Sequence, residues 1–440
     1  MIESILYLFL MLICFVTVNI FSKQGILLNP GILHNSIICY TSILSSIIFY
    51  CGLRGGDGES WSFFSDVDIF NNVLRINCLY LISFSIIYIF LCLVYSPSFT
   101  NISIALSHFK LRDISIALIT YFLIYFIQVF LEKVGFIYIS VYWANVLDVS
   151  LAITLIILLI KIKNVRIAFF LLSLFLILLM INDGFNGPGS FNINKGGITK
   201  SLVIIFISLS IAGKFVSLNN KHLWFGLILL SLFLGMSNSI EEYINESYIS
   251  FKSFIIYALQ GIEIRMFENQ AIIYSLVETG ETKLFKSDDG YISNFYLFKG
   301  ETYLNSLYDL IFPFVNTEPS AANWFASLIN DYAKFKGFES NSSYGLSFIA
   351  EGYLNFGIYG VYFSGFLGAI LLYFCRILLL IKSRFTLFIY AHFLFLCYYI
   401  YRMDFNYVLK YIKFGIIAFS ISILLYLLIE LLLVNFKKNK

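Results

Sequence analysis

Residues 77–95 read NCLYLISFSIIYIFLCLVY, nineteen positions without an acidic or basic side chain. A helix needs about 20 mostly apolar residues to cross the hydrocarbon core of a bilayer, so this run is long enough by itself. Runs of the same kind recur near 4–22, 31–51, 113–131, 147–160, 167–182, 200–213, 222–237, 355–375, 385–401 and 414–435, which makes eleven expected spans. The 440-residue chain is 60% hydrophobic, with a mean hydropathy of +0.85 and 12% charged residues, where a soluble domain carries about 25%. That excludes an ordinary soluble globular protein. The runs lack the two-residue alternation of an outer-membrane barrel, and helices are the remaining way to satisfy a backbone in lipid. The expected fold is an all-α polytopic membrane protein. The run after Met1 has no basic leader and no A-x-A site, and reads as a retained first helix.

Lys and Arg in the short loops set the orientation. One set of loops holds fourteen of them, the tail Lys437, Lys438 and Lys440 included, and the opposite set holds eight, among them Arg54, Arg75, Arg402 and Lys410. The first set is therefore expected in the cytoplasm. Three parts follow: spans one to eight over 1–237, one large hydrophilic segment over 238–354 on the outer side, and spans nine to eleven over 355–440. The large segment has seven Lys plus Arg against fifteen Asp plus Glu. Its acidity and its Tyr, Phe and Asn content suit neutral, hydroxyl-rich ligands better than polyanions, and nucleic acid is not an expected partner. Within it, 250–277 and 301–312 read as amphipathic helices, too short to span, lying along the membrane face.

Three groups of residues carry candidate chemistry. The stretch 344–360, YGLSFIAEGYLNFGIYG, has Glu351 in apolar surroundings, where loss of hydration raises its proton affinity and makes it a candidate base. The recurring Gly352, Gly357 and Gly360 permit close approach of backbone; the alternative role for Glu351 is pairing with a neighbouring Arg. The stretch 51–64, CGLRGGDGESWSFF, places Arg54, Asp57 and Trp61 at a membrane surface, either as a site or as an interfacial turn. Finally, the outward cations Arg54, Lys195, Lys200, Arg265 and Arg402 are candidates to converge on a diphosphate. Glycines in DGFNGPGSFNINKGGITKS, 183–201, offer backbone N–H groups for an anion.

The four histidines fall at inner positions (His34, His108, His222) or within a span (His392). A metal site and an outer-face His base are not expected, and C-x-x-C, HExxH, P-loop and GxSxG patterns are absent. The seven cysteines sit in or at the ends of apolar runs and read as small packing residues, Cys51 and Cys78 being the nearest to a facing pair. Trp61 and Trp324 offer flat faces for sugar rings, and Trp143 fits an interfacial belt.

At this point the residues resemble a known family. The large outer segment, the FPF around Pro313 and then SSYGLSFIAEGYLNFGIYG are similar to the end of the long periplasmic loop in bacterial O-antigen (oligosaccharide repeat unit) polymerases of the Wzy type. GLRGGDGESWSFF resembles the Arg/Gly/Asp-plus-aromatic motif after an early span in that group. The resemblance implies a GT-C-like membrane glycosyltransferase in the bacterial inner membrane, with its large loop in the periplasm. Its substrates would be undecaprenyl-diphosphate-linked oligosaccharides, with no nucleotide, metal or other cofactor, and its partners membrane lipids and a chain-length regulator. Carried onto this sequence, the E-x-Y-x-N-F-G pattern is Glu351, Tyr353, Asn355 and Gly357. Glu351 is then the expected base with Asp57 in reserve. Arg54 and Arg265 are first for the diphosphate, with Lys200, Lys195 and Arg402 behind them, and Lys195 and Lys200 stand where the family carries Arg. Trp61, Trp324, Tyr344, Tyr353 and Asn355 are the expected glycan contacts. The rival expectations are an O-antigen ligase, which would carry a periplasmic His, and a flippase for the lipid-linked unit.

Overall fold

An Asn followed by Pro and Gly is a helix start: Asn29 has extended backbone angles, and its side-chain oxygen accepts from the N–H of Gly31 at 3.0 Å and of Ile32 at 3.3 Å. From it runs α2, Pro30–Tyr50. The computed structural model describes residues 2–22, 29–51, 67–94, 111–161, 261–279, 297–311, 320–335, 345–378 and 384–438. Among them every regular element is a helix. The others are α1 (Ile2–Ser22), α3 (Val67–Val94), α4 (Leu111–Lys133), α5 (Ile137–Lys161), α6 (Gly261–Thr279), α7 (Glu301–Ile311), α8 (Ala321–Phe335), α9 (Phe348–Phe356), α10 (Ile358–Ile377), α11 (Arg384–Phe393), α12 (Leu396–Arg402) and α13 (Phe405–Lys438).

Six of these are long and apolar enough to cross a membrane: α1, α2, α3, α4, α10 and α13. They meet the spans expected at 4–22, 31–51, 77–95, 113–131, 355–375 and 414–435. The span expected at 147–160 falls within α5, whose apolar part Asn145–Leu158 is shorter. The spans expected at 167–182, 200–213 and 222–237 lie outside the described residues. The bundle is apolar on its outside as well as within, with Phe9, Phe90, Phe126, Phe374 and Leu432 each more than half exposed. That is the surface of a protein whose solvent is lipid.

The expected continuous span at 385–401 is instead two short helices, α11 and α12, separated by a turn at residues 394 and 395. Neighbouring side chains take up carbonyls around the turn, which is what makes a broken helix tolerable at membrane depth. The Tyr411 hydroxyl donates to the His392 carbonyl at 2.8 Å, and His34 Nδ1 lies 2.7 Å from the Cys397 carbonyl. A carbonyl only accepts, so Nδ1 carries the proton and Nε2 takes the Tyr80 hydroxyl at 2.9 Å. All seven cysteines are free thiols, and Cys51 alone is exposed.

Polar contacts show which helix ends share a side. At one end Ser4 joins α1 to Tyr50 of α2 and donates to Asn71 of α3. At the other, Arg376 near the end of α10 donates to the Ser22 carbonyl of α1 at 3.0 Å and to Cys92 of α3. Arg112 of α4 pairs with Glu430 of α13 at 2.7 Å, so those helices run antiparallel. Helices α6 and α9, from the large hydrophilic segment, pack on α3, and α7 packs on α13. They bring the E-x-Y-x-N-F-G stretch to the end where α10 and α13 begin.

Candidate active site

Helix α9 starts at Ser347, whose hydroxyl oxygen accepts from Ala350 N–H at 3.1 Å and from Gln270 of α6 at the same distance. It stops at Gly357, where φ is 58° and ψ is −138°, backbone angles that belong to glycine. The chain then turns directly into α10. The turn works because the two helices touch through hydrogen-only positions: a Cβ on Gly360 would lie 1.7 Å from the Gly352 carbonyl oxygen. The expected close approach is found at Gly352 and Gly360; Gly357 has nothing within 4 Å of a Cβ position and serves through its positive φ.

Folding α9 back in this way buries Glu351 completely. Its Oε1 accepts from the Thr302 hydroxyl of α7 at 2.7 Å, and its Oε2 accepts from Phe405 N–H at 2.6 Å, the first residue of α13. Asn355, one turn on, donates to Thr302 Oγ1 at 2.7 Å and accepts from Gly300 N–H at 2.9 Å. The Tyr303 hydroxyl donates to Ser364 at 3.1 Å, which itself donates to the Phe348 carbonyl. Its ring lies among Phe348, Phe356, Phe363 and Phe405. No Arg or Lys pairs with Glu351 among the described residues, so the alternative role of a loop-ordering ion pair is not the one found here.

Its neighbour is a second carboxylate that the sequence reading did not single out. Asp404 is also buried; Oδ1 accepts from Tyr407 N–H at 3.0 Å and Oδ2 from Ala322 N–H at 2.8 Å. It thereby caps α13 and α8 together, two helix N-termini whose partial positive charge favours an anion. Burial pushes the proton affinity of Glu351 upward, and the charge of Asp404 adds to this, against the donors Phe405 N–H and Thr302. Asp404 is likewise raised by burial, with Ala322, Tyr407, Ser320 and Lys410 opposing. Two buried carboxyls whose charges oppose one another do not both ionise readily, which favours a proton on the pair. Burial, with Glu351 the largest charge beside it, also raises the Tyr303 hydroxyl well above its ordinary value.

The other expected residues fall into three groups. Asn355 joins Glu351 through Thr302. Tyr353, on the same helix, faces away from it, donating to Glu278 and stacking on Tyr274 of α6 at 5.7 Å. Trp324, half-buried on α8, meets Phe298 edge-on at 5.1 Å. Arg402 ends α12; it donates to the Tyr398 hydroxyl at 3.2 Å, and its Nε is buried without a hydrogen-bond partner. Arg265 lies on α6, but its side chain is outside the described residues, as are Arg54, Asp57, Trp61, Lys195, Lys200 and Tyr344 altogether. Among the described residues no group of three His, Cys, Asp or Glu is placed to hold a metal ion.

The signal for Asp404 was present in the chain. It is the one acidic residue between Arg384 and Glu430, in the short outer loop between the spans expected at 385–401 and 414–435 and two residues from the candidate cation Arg402. Thr302 and Tyr303 carry no such mark, since only the tertiary fold brings α7 onto α9. Comparisons of the chain with protein-family models, with curated proteins and with solved structures return no match.

Proposed function

We propose that this protein is a membrane glycosyltransferase of the O-antigen polymerase type, with the Glu351–Asp404 pair as its chemical centre. The observation that carries the reading is the buried carboxyl pair at one end of an apolar helical bundle, held by hydroxyl, amide and helix N-terminal donors with no ion pair to either carboxyl among the described residues. Joining lipid-linked repeat units needs a base for the acceptor hydroxyl and stabilisation of the departing diphosphate. Glu351, whose proton affinity is raised, takes the acceptor proton. The bond between the donor sugar and its diphosphate breaks as the new glycosidic bond forms, and the diphosphate carrier leaves with the displaced electron pair. Thr302 and Asn355 hold the carboxylate in place. Arg402, which ends α12 two residues before Asp404 and has a buried Nε without a hydrogen-bond partner among the described residues, is proposed for the diphosphate, with Arg54, Arg265, Lys195 and Lys200 as its companions. The large segment faces the periplasm of the inner membrane in this reading.

A second reading, translocation of the lipid-linked unit without chemistry, is favoured by two helix breaks, at Gly357 after the helix that carries Glu351 and at residues 394 and 395 before the helix that leads to Asp404. Deleting the gene in its own strain separates the two. A polymerase deletion leaves single repeat units on surface lipopolysaccharide, whereas a translocator deletion accumulates carrier-linked units on the inner leaflet. Long chains retained on the carrier would point to a ligase and sink the proposal.

A further inference from the structure

Helix α7 buries the Tyr303 ring but turns polar groups inward beside it: Thr302 and Ser306 are buried and Asp309 faces α13, accepting from Asn406 at 3.1 Å and lying 3.6 Å from Lys410. The outward residues are Leu304 and Ile311, each 66% exposed, with Leu307 and Tyr308 between them. A helix in water turns its apolar stripe to the protein, so a stripe of apolar residues turned outward points to an apolar medium outside. The same exposed surface continues along α10 through Tyr359, Tyr362, Phe363 and Phe366, which places α7 at the hydrocarbon edge of the bilayer.

Between α7 and the turn from α9 into α10 lies a groove of about 770 Å³, walled by Leu304, Leu307, Phe356, Tyr359 and Phe363. Its one ionised lining residue is Lys299, exposed and without an ion-pair partner among the described residues. Lys299 is fixed where it stands: its φ is 49° and its N–H donates to the Asn355 carbonyl at 3.1 Å. Glu301, two residues on, belongs to the first turn of α7 and does not line the groove. Asn355 lines it and also donates to Thr302.

We propose that this groove is a lipid-binding site that takes a hydrocarbon chain of an anionic phospholipid from the surrounding bilayer, with the lipid phosphate at Lys299. An apolar channel continuous with the lipid-facing surface selects a chain, and a single unpaired ammonium at its mouth selects a negative head. The occupant would lie two side chains, Asn355 and Thr302, from Glu351. The inference stands on helix polarity and the groove, and does not rest on the glycosyl-transfer reading.

The test uses the full chain in phosphatidylcholine vesicles containing a minor fraction of phosphatidylglycerol, with the photoreactive substitution Tyr359→benzoylphenylalanine in the groove. Phe374→benzoylphenylalanine, on the lipid face farther along α10, is the control. Mass spectrometry of the adducts is expected to show phosphatidylglycerol enriched several-fold over its bulk share at residue 359 and at its bulk share at residue 374. Adding Lys299→Gln or Lys299→Glu is expected to return residue 359 to the bulk share with unchanged thermal unfolding. Bulk ratios at residue 359, equal enrichment at both positions, or enrichment that survives both Lys299 substitutions would overturn the proposal. So would displacement of phosphatidylglycerol by an equal amount of polyprenyl phosphate, which would assign the groove to an isoprenoid carrier instead.

Discussion

The bundle buries a cation at one end and two acids at the other, and it treats them differently. Arg376 lies in the last turn of α10 and is spread over the ends of three helices: it donates to the Ser22 carbonyl of α1 and to Cys92 of α3. Glu351 and Asp404 sit against the N-termini of α13 and α8. Both arrangements follow the helix dipole, with positive charge at carbonyl ends and negative charge at amide ends. The difference lies in what surrounds them. Arg376 is held by helix ends that the bundle needs for packing. The acid pair meets a second charge of its own sign and is separated by Asn355 and Thr302 from a groove open to lipid. One end fastens the helices; the other gathers two buried acids, which fastening alone does not require.

That contrast predicts effects of decreasing size on stability. Arg376→Ala leaves the Ser22 carbonyl without its donor in the interior and should destabilise the detergent-purified protein by about 3 kcal/mol, with the activity of the surviving folded fraction unchanged. Equal losses of activity and stability per folded molecule would break the division between the two ends. Gly360→Ala pushes a methyl group into the Gly352 carbonyl and should cost about 2 kcal/mol. Because this contact sets α9 against α10, it should also lower activity, which circular-dichroism melts and a polymer ladder would read together. Thr302→Val strips one donor from Glu351 and one acceptor from Asn355 and should cost about 1 kcal/mol, measured by scanning fluorimetry.

The acid pair also sets the slope of stability with pH. The proton affinity of Glu351 is raised above its ordinary value of 4.5, and that of Asp404 above 3.8. The folded protein therefore binds more protons than the unfolded chain above those values, and stability falls as pH rises from the ordinary carboxylate range toward the raised ones. Melting temperatures of the wild type should decline across that window, while Glu351→Gln should flatten the curve. A rise in wild-type stability over the same range would contradict the burial of the pair.

Much of the scaffold was legible in the chain. The expected amphipathic helix at 301–312 is Glu301–Ile311, and Glu351 stood out because it is a charge in an apolar stretch. Hydropathy did not show the turn at residues 394 and 395, because an average over side chains is blind to carbonyls that His34 and Tyr411 accommodate from elsewhere in the fold. It also placed the last span at 414–435, whereas α13 begins at Phe405, where Asp404 and Glu351 supply acceptors for its first N–H groups. The pairing of Glu351 with Asp404 joins residues about fifty positions apart through α7 and α13. No local pattern announces such a contact.

The most direct test is Glu351→Gln in purified protein supplied with lipid-linked repeat units, with polymer length and thermal unfolding read on the same sample. Glutamine keeps an oxygen for Phe405 N–H and turns its amide to Thr302, whose hydroxyl accepts as readily as it donates, so the fold should survive. The account predicts a loss of polymer formation of about a hundredfold to ten-thousandfold with a melting temperature at neutral pH no lower than the wild type's. Full polymer formation by a folded Glu351→Gln protein would contradict it and leave the acid pair a structural cap.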